Sequence, residues 1–68
     1  MPFVNIKLTR ESTPITPEQK KALIEGATDL LVKVLNKNRA TTIVIIEELD
    51  MDNWGIGGNS VTEIRKKS

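Results

Sequence analysis

The sequence predicts an α+β domain: a single βαβ unit with two parallel strands, one long helix and a short C-terminal hairpin, completed by oligomerisation. Three observations carry that expectation. The chain opens on a run of period two, a capped helical stretch follows from Thr16, and Thr41-Thr42-Ile43-Val44-Ile45-Ile46 is β-branched throughout.

In the opening run, Pro2, Val4, Ile6 and Leu8 alternate with Phe3, Asn5, Lys7 and Thr9. Such alternation marks a strand with one apolar face. Proline is tolerated at a strand's first residue, where a missing N–H costs no ladder bond. The segment Arg10 to Ile15 is polar, contains Pro14 and reads as a connecting loop.

Thr16-Pro17-Glu18-Gln19 is a helix start. The Thr16 hydroxyl can accept from the Gln19 N–H while the Gln19 side chain reaches back, a capping box. Pro17 then occupies the first helical position, where its fixed φ is already correct. Leu23, Ala27, Leu30 and Val34 recur at helical spacing beside Ile24, Leu31 and Leu35, so the helix is expected to bury more than one side. Gly26 weakens it by about 1 kcal/mol against alanine, which points to close packing there. Asn36-Lys37-Asn38 ends it, giving a helix from Pro17 to Leu35 about 28 Å long.

The run 41–46 suits a strand covered on both faces, the usual condition in a parallel sheet. Strand, helix and strand in this order make a right-handed crossover. A lone pair of strands with one helix cannot close a core, so the second strand implies a partner chain. The acids of Glu47-Glu48-Leu49-Asp50-Met51-Asp52 are expected to be exposed loop charges. Trp54-Gly55-Ile56-Gly57-Gly58 then suggests a tight hairpin. No Gly-Lys-Ser/Thr follows those glycines, so they are not a phosphate cradle.

Residues 1–68 form a single domain, with 65–68 expected to be a flexible tail. A chain this short sits near marginal stability unless something staples it. It has no cysteine, hence no disulfide or thiolate metal site, and no histidine; no acidic cluster has EF-hand spacing. No metal is expected, and association between copies is the remaining source of stability. Ten basic residues against nine acidic ones give a net charge of +1 with the signs interspersed, which does not suit a nucleic-acid binder. No apolar stretch of about 18 residues could span a bilayer, and no signal-peptide pattern opens the chain. A cytoplasmic protein is expected.

The same absences narrow the chemistry. Without His, Cys or Tyr, an enzyme working near neutral pH must draw its base from a short list. It comprises a carboxylate with a raised pKa, a lysine with a lowered one, and the amino terminus, for which an ordinary α-amine titrates at about 7.7–8.0.

Pro2 at the head of the first strand, "PEQKKALIEGATDLL" in the helix and "NWGIGG" after the second strand occur in an order and spacing that resemble small-chain members of the tautomerase superfamily, the 4-oxalocrotonate tautomerase (2-hydroxymuconate tautomerase) family. The resemblance covers roughly residues 2 to 64. It implies that Met1 is lost and that the exposed Pro2 nitrogen is the general base. It implies cofactor-independent movement of a proton on an enol or unsaturated 2-keto acid, a small carboxylate substrate. It also implies dimers that commonly gather into a homohexamer, with active sites shared between chains.

By the same resemblance, Arg10 corresponds to the family's loop arginine, although the loop here is longer. The family's strand arginine falls on Ile43, and no basic residue occupies that strand. Arg39, upstream of it, is the substitute expected to bind substrate, with Lys7 a weaker candidate. Trp54 falls on an aromatic position that walls the pocket and keeps it dry.

Each residue also has an ordinary reading: Pro2 as a strand opener, Trp54 as an interface anchor, Arg10 and Arg39 as solvated cations. The same fold could instead serve a hydratase or dehalogenase of unsaturated acids, or an assembly module without activity. The hydratase reading needs a carboxylate to activate water, and none can be assigned.

Overall fold

The computed structural model describes residues 1–67. Strand β1 (Phe3–Thr9) leads through the polar loop to helix α1 (Pro17–Leu35); a 3₁₀ turn (Arg39–Thr41) opens strand β2 (Ile43–Leu49). A second 3₁₀ turn (Met51–Asn53) precedes a hairpin of β3 (Gly55–Ile56) and β4 (Asn59–Ser60), and helix α2 (Val61–Lys66) follows.

β1 and β2 pair in parallel, with Phe3 opposite Ile43 and Thr9 opposite Leu49. Opposed residues of such a pair share a face. Val4, Ile6 and Leu8 with Val44, Ile46 and Glu48 make up the more protected face, against which α1 packs. Phe3, Asn5 and Lys7 with Ile43, Ile45 and Glu47 make up the other.

The α1 start is as the sequence requires. Gln19 N–H donates to the Thr16 hydroxyl at 3.1 Å, and the Gln19 side chain accepts from the Thr16 N–H at 3.0 Å. At the far end Asn36 takes a left-handed conformation (φ 53°) and donates its N–H to Val32 O. Asparagine is among the few residues that reach this region at low cost, which is why the helix stops there. The β3–β4 turn is closed by Gly57 (φ 60°) and Gly58 (φ 87°), both in the left-handed region that two-residue hairpin turns demand.

Two expectations are corrected. Strand β2 runs on through Glu47, Glu48 and Leu49, so the two glutamates are not loop charges. Glu48 continues the helix-facing side, where Lys20 of α1 pairs with its carboxylate at 3.1 Å; Glu47 accepts from Asn5 Nδ2 at 2.7 Å. Each acid therefore has a partner that allows the strand to continue. Next, Arg65 and Lys66 are not a loose tail but the last turn of α2, capped at its start by the Ser60 hydroxyl accepting from Glu63 N–H at 3.2 Å. Ser68, the end of the expected tail, lies outside the described residues. On β2, Ile43 and Ile45 remain 38% and 39% exposed within one chain, the face for which the sequence leads one to expect a partner.

Glu11 ties the β1–α1 loop to α2. Its carboxylate accepts from both guanidinium nitrogens of Arg65, at 2.6 and 3.2 Å, and from the Thr9 hydroxyl. Arg65, then Thr9, hold the Glu11 carboxyl below its ordinary value of 4.5. A carboxyl whose pKa is lower folded than unfolded stabilises above its unfolded value, and that stabilisation is lost as pH falls through the folded one. Replacing Glu11 by Gln is therefore expected to lower the melting temperature slightly at pH 7 and by less at an acid pH where the parent carboxyl takes up its proton. Thermal unfolding at the two pH values measures this; an equal loss at both would show that charge is not the cause.

Candidate active site

Pro2 sits half-buried at the start of β1, its carbonyl accepting from Ile43 N–H at 3.0 Å. That bond fixes the first residues of the chain against the mouth of β2. Met1 is 87% exposed ahead of it. With Met1 attached, the Pro2 nitrogen is a tertiary amide and cannot accept a proton.

Because the strands are parallel, what precedes β2 lies at the same end of the sheet as what precedes β1. Arg39 is therefore on the Pro2 end, in the 3₁₀ turn whose start is capped by Asn38. Its guanidinium pairs with the Asp29 carboxylate of α1.

Arg10 and Trp54 follow the strands and lie at the other end. The Arg10 N–H donates to Leu49 O at 2.7 Å, and its guanidinium donates to Asp50 Oδ1 at 2.7 Å and Glu48 O at 3.2 Å. Trp54 is pinned on both sides, donating to Met51 O at 3.3 Å and accepting from Val61 N–H at 2.9 Å. A seven-residue strand spans roughly 20 Å, so Pro2 and Arg39 are held apart from Arg10 and Trp54 within one chain.

Lys7 projects from the middle of β1 on the outer face, across from Glu47. A candidate cation thus lies at each end of the sheet, each already facing a carboxylate of its own chain. Asp29 and Asp50, which orient them, were not legible as partners, since opposite charges far apart in sequence carry no spacing signal.

An open depression of about 440 Å³ at the Arg10 end is lined by Arg10, Glu11, Ser12, Asp50, Met51, Asp52 and Thr62. Thr62 closes its rim by donating to the Asp52 carboxylate. Among the described residues no group of three or more acidic side chains could hold a metal ion.

A model of the tautomerase enzyme family matches residues 2–64. The chain belongs to the tautomerase family. It is 60% identical over 68 residues to a probable tautomerase, K2, of Dickeya dadantii (strain 3937), a match that covers 100% of this chain and 98% of that one. It is 38% identical over 64 residues to the 2-hydroxymuconate tautomerase of Comamonas testosteroni, covering 94% and 97% of the two chains. The crystal structure of DmpI from Helicobacter pylori superimposes with a TM-score of 0.88 at 57% identity, covering 98% of this chain and 100% of that one. This tautomerase is accordingly an isomerase, and its βαβ unit is the tautomerase fold.

Within that fold the indole of Trp54 has an unusual environment. Its Nε1 is shielded from solvent and has no hydrogen-bond partner among the described residues. A buried donor left unpaired costs about 1–3 kcal/mol. Exchange of Trp54 for Phe keeps the aromatic wall and deletes the donor, so stability is expected to hold or rise by about 1 kcal/mol. Urea unfolding measures this, and a loss of several kcal/mol would mean that the N–H is satisfied in solution.

Proposed function

We propose that the mature chain, freed of Met1, is a cofactor-independent keto–enol tautomerase of a small unsaturated 2-hydroxy or 2-keto acid, with the Pro2 ring nitrogen as general base. The observation that carries the reading is the position of Pro2. It opens β1 in a tautomerase fold, pinned through its carbonyl to Ile43, in a chain with no His, Cys or Tyr to serve instead.

The physical chemistry fits. A secondary amine is mostly protonated at neutral pH, and its base form must be favoured. Apolar surroundings and a nearby cation both disfavour the charged ammonium and lower its pKa. Packing of a neighbouring copy over this end of the sheet supplies the former, and Arg39 at the same end the latter. A base tuned toward neutrality takes the proton from the enol hydroxyl and returns it to carbon on the same substrate. The pyrrolidine ring holds the lone pair in a fixed direction, which reduces the ordering needed at the transition state.

Arg39 and Arg10 bind the carboxylate or polarise the carbonyl oxygen, and Trp54 excludes water, which strengthens those charge interactions. Since the sheet separates the Pro2 end from the Arg10 and Trp54 end, a site using all of them draws on neighbouring copies. Self-association into dimers and a homohexamer is part of the proposal. It is supported by a Cα radius of gyration of 15.2 Å, against about 11 Å for a compact domain of this length.

Ile43 is an aliphatic residue beside Pro2, so only one end of the substrate meets a cation there. A monocarboxylic enol such as enol-phenylpyruvate then suits the site better than a dicarboxylate such as 2-hydroxymuconate. Ketonisation rates of both enols by Met1-free protein test this. The expected result is a higher kcat/KM for the monocarboxylate; a preference for 2-hydroxymuconate would overturn the assignment of substrate class.

A further inference from the structure

Arg10 and its partner Asp50 belong to different segments. Arg10 lies where the chain leaves β1, and Asp50 where it leaves β2. Their ion pair bridges the seam between these two exits. Both side chains are more than half exposed, and such a pair restrains little by itself. Whatever holds the two exits in register therefore decides where the Arg10 guanidinium points.

Helix α2 crosses the same seam. It is seated by its first residue, Val61, whose side chain is buried and whose N–H donates to Trp54 O. From its last turn Arg65 donates through both guanidinium nitrogens to the two carboxylate oxygens of Glu11, the neighbour of Arg10, at 2.6 and 3.2 Å. Arg65 Nη1 also donates to Met51 Sδ at 3.3 Å, on the other side of the seam. Met51 follows Asp50, and its carbonyl accepts from Trp54 N–H. Thr62, one turn earlier on α2, adds its bond to Asp52. One side chain thus grips the neighbours of Arg10 and of Asp50 at once.

The form of the contact separates it from an ordinary surface pair. Two N–H groups set against two carboxylate oxygens fix direction as well as distance. That is the geometry in which a half-exposed pair carries weight. A lysine at this position would supply the charge without the fork. Displacing a binding group by about 1 Å is enough to weaken a site markedly, so a restraint on the seam has a kinetic consequence.

We propose that Arg65 is a positioning residue for the candidate site. Through Glu11 and Met51 it sets the separation of the two exits, and with it the direction in which Arg10 presents its guanidinium. The proposal rests on the reading of Arg10 as a carboxylate binder; Arg65 itself acts through its neighbours.

Two measurements on the full Met1-free chain test it. In Arg65→Gln, hydrogen exchange of the Arg10 N–H, which is bonded to Leu49 O, is expected to quicken by about 5-fold, as loss of one well-formed exposed pair allows. Exchange at Leu30, within α1, should not change, which also reports that the variant is folded. In steady-state kinetics the same variant is expected to raise KM for a carboxylate enol by about 3- to 5-fold with kcat nearly kept, and to leave the matching ester unaffected. Arg65→Lys should recover only part of that loss, and Arg65→Gln should add nothing in an Arg10→Ala background. Unchanged exchange at Arg10, equal acceleration at Leu30, full recovery by lysine, or an equal KM rise for acid and ester would each overturn the proposal. A faster Arg10 exchange in Arg65→Gln, combined with an Arg10→Ala variant of parental KM, would instead uphold the clamp and remove Arg10 from substrate binding.

Discussion

Replacing Pro2 by alanine in Met1-free protein is expected to lower kcat/KM for enol ketonisation by about 10²–10⁴-fold, the contribution typical of a positioned general base. Alanine keeps an amino terminus, so the variant isolates what the ring contributes: a secondary amine of fixed direction. It also keeps the carbonyl that accepts from Ile43 N–H, so the start of β1 is expected to hold. Helix content and assembly mass should match the parent. A chain that retains Met1 should be as inactive as the variant, because its Pro2 nitrogen is an amide. An alanine variant with parental kcat/KM would remove Pro2 from the chemistry and leave it as a strand opener.

The next largest effect is expected at the arginines. Hydrogen bonds to charged groups contribute about 1.5–3 kcal/mol, so Arg39→Ala and Arg10→Ala should each raise KM for a carboxylate enol by about 10- to 150-fold. The corresponding ester, which lacks the negative charge, should respond much less. Arg39 and Arg10 are both exposed and ion-paired, with Asp29 and Asp50, and exposed pairs contribute little to stability. The melting temperature should therefore move little in either variant. A KM that is unchanged for the acid, or changed equally for the ester, would assign the guanidiniums to the surface. Steady-state kinetics on the matched acid and ester decides between these outcomes.

Much of the fold was legible because local rules and the global fold agree. The capping pair Thr16 and Gln19, Pro17 at the first helical position and Asn36 at the last turn placed α1 at the bounds observed. The alternation from Phe3 to Thr9 placed β1, and Gly57-Gly58 placed the hairpin. What escaped depends on contacts distant in sequence. Glu47 and Glu48 look like the end of an apolar run, and only the arrival of Asn5 and Lys20 beside them lets β2 continue. Helix α2 was missed although Ser60 and Glu63 repeat the spacing of Thr16 and Gln19; six residues are too few for an apolar periodicity to show.

The candidate site divides in the same way. Two parallel strands are enough to predict that Arg39 shares an end with Pro2 while Arg10 and Trp54 share the other. The acids that hold both guanidiniums come from α1 and from the segment after β2, and no sequence pattern announces them. The covering of the outer sheet face depends on other copies, and only the folded chain shows which apolar side chains it leaves exposed there, Phe3, Ile43 and Ile45.

The role of the Pro2 nitrogen is tested most directly by a pH titration of protein labelled with ¹⁵N at its prolines. Pro2, Pro14 and Pro17 give separate resonances, and two of them are peptide amides under any reading. The expected result is a single resonance with the shift of a free secondary amine that titrates close to neutral pH. Three amide resonances that ignore pH, in protein taken directly from cells that make it, would leave the fold without its base.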